Sequence, residues 1–151
     1  MSDYTQKQAI SWDDIKRDSA RLSEKLNSEF KLPKKILAVT RGGLMPASLV
    51  CRALGIKKIE TIGLESYHGQ HQGDVISVLK QAAPEFLEDT LILDDLVDTG
   101  KTYAYLREHT KNCLFATLYA KPLGAKYSDC FVEEFDQDTW IDFPWEMDFP
   151  E

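Results

Sequence analysis

The sequence predicts an α/β fold: a mainly parallel, twisted sheet with helices on both faces and a small hood beside it. Three observations carry that expectation. Short apolar runs at Ile36–Val39, Thr90–Leu93 and Leu114–Ala120 read as strands buried on both faces. Segments of helical periodicity lie between them, and strands alternating with helices imply a parallel sheet. Two of the runs stop at turns rich in chemistry, Thr40-Arg41-Gly42-Gly43 and Asp94-Asp95, and open sheets gather ligands at the carboxyl ends of their strands.

Ser11-Trp12-Asp13-Asp14 opens the first helix. Ser11 caps it, and Asp14 lies three residues on, where the helix end is positive. Ile15, Leu22, Leu26 and Phe30 recur on one face, and the helix ends before Pro33. After Ile36–Val39 a second helix carries Leu44, Leu49, Val50, Ala53 and Leu54, with Pro46 in its first turn and Gly55 as its stop. Lys58–Leu64 reads as a strand, the polar stretch His68–Asp74 as a loop, and Val75–Leu79 as the next strand. The strand Thr90–Leu93 leads to a third helix through Tyr105, Leu106 and His109. Leu114–Ala120 is a strand that Lys121-Pro122 closes. The acidic, aromatic segment from Tyr127 reads as an appended lobe. Residues 1–151 therefore form one domain, its hood drawn largely from 127–151 with an N-terminal contribution.

Composition narrows the function. With 151 residues, 43% hydrophobic and 28% charged, the chain is an ordinary globular one. No apolar stretch is long enough to cross a membrane as a helix, and the polar N-terminus lacks the core of a signal peptide. Cys51, Cys113 and Cys130 have no CxxC spacing, which argues against a disulfide framework or a zinc site and for reduced thiols in the cytoplasm. The net charge is −7, and every Lys and Arg lies at or before Lys126. Without a run of basic residues, nucleic acid is not an expected partner.

The segment Leu91 to Thr102 concentrates the chemistry. A buried strand runs into Asp94 and Asp95, Asp98 follows in the turn, and Thr99-Gly100-Lys101-Thr102 opens a helix. A helix N-terminus offers unpaired N–H groups and a positive dipole end, so this turn suits a phosphate. The carboxylates before it suit ribose hydroxyls, Mg²⁺ or a proton. Acids this close repel one another unless a cation or donors intervene, which argues against mere helix capping.

That stretch, Leu91-Ile92-Leu93-Asp94-Asp95-Leu96-Val97-Asp98-Thr99-Gly100-Lys101-Thr102, resembles the signature of the type I phosphoribosyltransferases, which bind 5-phosphoribosyl 1-pyrophosphate (PRPP). Within that family the chain is similar to the bacterial xanthine-guanine phosphoribosyltransferases. The similarity runs through the opening helix, Thr40-Arg41-Gly42-Gly43-Leu44, Ser66-Tyr67, Ala120-Lys121-Pro122, and Gln137-Asp138-Thr139-Trp140-Ile141 with Pro144-Trp145, in matching order.

The resemblance implies the type I phosphoribosyltransferase fold and transfer of 5-phosphoribosyl from PRPP to a 6-oxopurine in purine salvage. It implies that Arg41, Gly42 and Gly43 receive the pyrophosphate. Asp94 and Asp95 then hold the ribose hydroxyls and Mg²⁺, with Asp95 the metal ligand. Asp98 faces N7 as the catalytic proton acceptor, and Thr99, Gly100, Lys101 and Thr102 cradle the 5′-phosphate. On the purine side it implies Lys121 at O6, Trp140 stacked on the ring and the Ile141 carbonyl at the 2-substituent edge. A donor at O6 favours guanine, hypoxanthine and xanthine over adenine. The family further implies a dimer or tetramer in the cytoplasm, with peripheral contact at the inner membrane face in some members.

Two departures stand out. Enterobacterial members have Gly where this chain has Lys101, and they continue past Asp148-Phe149-Pro150-Glu151, with Asp in place of Glu146. The stretch around His68 and His71 reads as a flap that closes over the reaction; two loop histidines without a third ligand do not make a metal site. The competing readings are a PRPP-binding regulatory protein and a phosphoribosyltransferase for another acceptor. Lys121 and Trp140 weigh against both, since a sensor of PRPP needs no purine contacts.

Overall fold

A computed structural model describes residues 4–69 and 73–147. In chain order the elements are β1 (Gln6–Ala9), α1 (Trp12–Glu29), β2 (Lys35–Thr40), α2 (Leu44–Leu54), β3 (Lys58–Gly69), β4 (Gly73–Lys80), β5 (Leu91–Val97), α3 (Lys101–His109), β6 (Leu114–Ala120), β7 (Glu133–Glu134) and β8 (Thr139–Asp142). Six strands form one sheet in the order β4-β3-β2-β5-β6-β7. Every neighbouring pair is parallel except β3–β4. Helices cover both faces, as the alternation of strands and helices predicts.

Each face has its own apolar cluster. On one, Ile15, Leu22 and Leu26 of α1 and Ala47 and Val50 of α2 pack on Ile36, Ala38, Leu91, Leu93, Ala116 and Leu118. On the other, Tyr103 and Leu106 of α3 pack on Leu37, Val39, Ile92 and Phe115. The alternation along β2 and β5 divides the residues between the two clusters. Ser11 caps α1 reciprocally: its Oγ accepts from the Asp14 N–H at 3.0 Å, and Asp14 Oδ2 accepts from the Ser11 N–H at 2.9 Å.

The structure departs from the sequence expectation in three places. β1 was not expected; it pairs in parallel with β8 to make a separate two-stranded sheet, in register from Gln6–Thr139 to Ala9–Asp142. β5 does not stop at Leu93 but continues through Asp94 and Asp95 to Val97, because β6 supplies hydrogen-bonding partners alongside. The expected loop His68–Asp74 is largely strand. His68 pairs with Asp74 and Gly69 with Gly73 in the β3–β4 hairpin, whose antiparallel bonds satisfy the backbone whatever the side-chain polarity. His71 lies outside the described residues.

α1 is tied to the sheet by a buried polar contact. Asp18, 1% exposed, accepts from the Tyr119 hydroxyl at 2.5 Å and from Arg17 and Arg21 at 3.1 Å. Burial pushes the Asp18 carboxyl up, but the bonds from Arg17, Tyr119 and Arg21 outweigh it and hold the group below the usual range. Tyr119→Phe is expected to cost about 1.5–3 kcal/mol, the range for a hydrogen bond to a charged group. A carboxyl with a depressed folded pKa contributes stability in full above its unfolded value and loses it as pH falls through the folded one. In thermal melts from pH 7 downward, the gap between wild type and Tyr119→Phe should therefore narrow below about pH 4.

Candidate active site

The carboxyl ends of β2, β5 and β6 lie side by side, so the turns after them share one edge of the sheet. β3 lies on one side of β2 and β5 on the other, which makes the β2–β5 junction a topological switch point. Arg41, Gly42 and Gly43 follow β2, Asp98, Thr99 and Gly100 follow β5, and Lys121 follows β6.

The Arg41–Gly43 turn is pressed onto the sheet. Gly43 N–H donates to the Val39 carbonyl at 2.7 Å and Leu44 N–H to the Arg41 carbonyl at 3.1 Å, while the Arg41 side chain is exposed. A Cβ at Gly42 would lie 2.4 Å from Asp95 Oδ2, and one at Gly43 2.5 Å from the Leu93 carbonyl oxygen. Glycine is thus required twice because the backbone passes directly over the β5 end.

A cavity of about 450 Å³ opens over the end of β5, lined by Asp94, Asp98 and the turn Thr99–Thr102. Gly100 precedes α3 with φ 91°, and no side chain caps the helix. The first-turn N–H groups therefore remain available to an anion. Lys101 takes a helical conformation there, so its side chain does not disturb the turn backbone. A larger groove of about 1150 Å³ sits at the opposite edge among Lys31, Lys34 and Lys57, but it brings together no acid–base constellation.

Asp94 and Asp95 form a coupled pair. Burial raises the Asp94 carboxyl well above the usual range, and the Asp95 charge adds to this; burial brings Asp95 up to about 6. Asp94 Oδ1 accepts from the Asp95 N–H at 2.8 Å. Among the described residues no cluster of three metal-ligating side chains surrounds the pair.

The second half of the site centres on Lys121, only 1% exposed. Its Nζ donates to Asp98 Oδ2 at 3.2 Å and lies 4.8 Å from the centroid of the Tyr4 ring. Tyr4 meets Trp140 edge-on at 5.2 Å, and Gln137 Nε2 donates to Asp98 Oδ1 at 2.7 Å. Trp140 is 38% exposed, its Nε1 bonded to Asp142 Oδ1 at 2.7 Å. The Ile141 side chain is buried in the α1–α2 cluster. Since the carbonyls of Asp138 and Asp142 accept from the N–H groups of Thr5 and Ile10, which flank β1, alternation turns the Ile141 carbonyl to the other edge of β8.

The structure thus brings Asp98, Lys121 and Trp140 into one cluster and sets Asp94, Asp95, Gly42 and Gly43 into another at the same sheet edge. Tyr4, Gln137 and Gly124 were not singled out from sequence. A Cβ at Gly124 would lie 2.6 Å from the Val97 carbonyl oxygen and 2.7 Å from that of Asp98, so this glycine lets the Lys121 turn close over the Asp98 turn. Gln137 stood inside a motif that pointed to it; nothing local marked Tyr4.

A family model described as the phosphoribosyl transferase domain matches residues 11–151. Among solved structures, a purine phosphoribosyltransferase from Pyrococcus horikoshii is 31% identical with a TM-score of 0.79, the match covering 96% of this chain and 97% of that one. A Helicobacter pylori xanthine-guanine-hypoxanthine phosphoribosyltransferase is 21% identical, with coverage of 95% and 96% and a TM-score of 0.78. A Neisseria gonorrhoeae protein solved with bound ppGpp is 22% identical, with coverage of 95% and 91% and a TM-score of 0.74. At these lower identities the last two speak to the fold alone.

The acidic pair generates a stability test. A carboxyl whose folded pKa is raised costs stability while ionised, and the cost is relieved as pH falls through the folded value. The ligand-free protein should therefore gain stability as pH drops through about 6, the value to which Asp95 is raised. Asp95→Asn should exceed wild type at pH 7.5 by about 1–3 kcal/mol, a gap that closes toward pH 4 in melts across the range. A variant that is less stable at every pH would show that the pair is not strained.

Proposed function

The chain belongs to the phosphoribosyl transferase family, and from that premise we propose that it transfers the 5-phosphoribosyl group of PRPP to a 6-oxopurine. Xanthine and guanine are the foremost acceptors and hypoxanthine a third, the products being the nucleoside monophosphate and pyrophosphate of purine salvage. The observation that carries this reading is the buried Lys121 paired with Asp98 beside an uncapped helix N-terminus.

A lysine ammonium has three donors and no acceptor. Presented to a purine, it suits the O6 oxygen and rejects the 6-amino group of adenine. On binding, O6 takes over the ammonium and leaves Asp98 free to accept the proton that the ring nitrogen loses. Trp140 and Tyr4 offer aromatic surface to the base, and the outward Ile141 carbonyl offers an acceptor to its 2-substituent. Arg41 and the Gly42 backbone hold the pyrophosphate and stabilise its charge as it departs, while Gly43, whose N–H bonds the Val39 carbonyl, keeps the pyrophosphate turn close against the sheet. Thr99, Gly100, Lys101 and Thr102 hold the 5′-phosphate.

Asp94 and Asp95 fit a divalent cation. They are oxygen donors with raised pKa values, and as a pair they leave most of the coordination shell to other ligands. That suits Mg²⁺, which binds through one or two carboxylates with the remaining positions on water and substrate oxygens. Mg²⁺ held by Asp95 would neutralise charge on the diphosphate.

The reading includes a homo-oligomer, dimer or tetramer, for which the exposed Leu44, Met45 and Leu49 on α2 offer an apolar face. It places the reaction in the cytoplasm. It includes peripheral contact at the inner face of the membrane as an option; among the described residues no helix is long and apolar enough to cross a membrane.

Turnover of PRPP and Mg²⁺ with guanine, xanthine, hypoxanthine and adenine in separate assays tests the assignment: the three oxopurines should react and adenine should not. Asp98→Asn should lower kcat by roughly 10²–10⁴-fold, the range of general acid–base catalysis; near-normal turnover would remove Asp98 from its role. Lys121→Ala should weaken guanine binding in calorimetry while PRPP binding survives. Equal loss of both would undo the assignment of Lys121 to the base.

A further inference from the structure

We infer that Gln137 is a positioning residue for the proton acceptor of the reaction proposed above, a reading on which this inference rests. It holds Asp98 Oδ1 so that Oδ2 is the oxygen that receives the proton. The orientation of the Gln137 amide is fixed from the far side: its Oε1 accepts from the Leu123 N–H at 2.9 Å, an interaction only the carbonyl end can make. Nε2 must then point at Asp98, where it donates to Oδ1 at 2.7 Å and approaches the Asp98 carbonyl oxygen at 3.4 Å. Lys121 holds the other oxygen, Oδ2.

The two donors differ in what binding asks of them. Lys121 leaves Oδ2 when it turns to the oxygen of the base; Gln137, anchored to the Leu123 backbone, stays on Oδ1. As the bond from the ring nitrogen to C1′ forms and the C1′–O bond breaks, its electron pair leaves with pyrophosphate. The proton of the ring nitrogen passes to Oδ2, the oxygen just vacated. Gln137 keeps the carboxylate from rotating out of line at that moment, which is where small misplacements cost most. Among the described residues Lys121 and Tyr4 also face Asp98: Lys121 bonds Oδ2, and Tyr4 feels the Asp98 charge.

Two variants separate positioning from scaffolding. Gln137→Glu keeps an acceptor for the Leu123 N–H and loses the donor to Asp98; Gln137→Met loses both. With guanine saturating, each is expected to lower kcat at least 10-fold at pH 7.5, while the equilibrium Kd for PRPP stays within about twofold of wild type. Combined with Asp98→Asn, neither should reduce kcat by more than a further twofold, because the group they position is gone. A kcat for Gln137→Glu within twofold of wild type overturns the inference, as do losses that multiply in the double variant or a PRPP affinity that falls in step with kcat. A wild type that turns over no oxopurine overturns the underlying reading as well, which distinguishes the two failures.

Discussion

A buried ammonium is the constraint around which one half of this site is arranged. Removing a lysine charge from water costs several kcal/mol unless the protein returns the lost interactions. For Lys121 the return comes from Asp98 and the face of Tyr4. Asp98 must then sit at the end of β5 and Lys121 at the end of β6, at matching depth, which the parallel register of those strands secures. Their turns can approach only because Gly124 leaves no Cβ against the Val97 and Asp98 carbonyls.

The Asp94–Asp95 side rests on a different arrangement: two carboxyls buried together, both raised above the usual range. Asp94 and Asp95 remain in an extended strand held by β6, and the Gly42 backbone covers the Asp95 carboxyl so closely that no side chain fits. Stability is given up locally, and apolar clusters on both faces of the sheet supply the surplus that makes this tolerable.

Much of this was legible in the sequence because the relevant signals are local. Leu91-Ile92-Leu93 announces a buried strand, Ser11 and Asp14 announce a helix start, and Thr99-Gly100-Lys101-Thr102 announces the start of α3. What escaped is what depends on distant partners. Gln6-Lys7-Gln8-Ala9 is exposed throughout and has no apolar alternation, so only β8 makes it a strand. The paired acids hid the last half of β5, since their extended conformation is imposed by β6. Polarity likewise hid the far end of the β3–β4 hairpin, where backbone bonds set the structure. Tyr4 carries no local mark at all; its place follows from the ring contacts with Lys121 and Trp140.

The β1–β8 pairing joins opposite ends of the described chain; the Thr5 hydroxyl donates to Asp138, 133 residues downstream. During synthesis on a ribosome, the strands of the main sheet from β2 to β6 emerge and can associate while Tyr4 and Gln6 still wait for partners. Contacts of such sequence separation form slowly and late. A nascent chain therefore acquires the Asp94–Asp95 end of β5 first and the surroundings of Lys121 last, since Tyr4 is brought to Lys121 only when residues 137–142 arrive. A chain cut short before that point lacks the ring that covers the Lys121 ammonium.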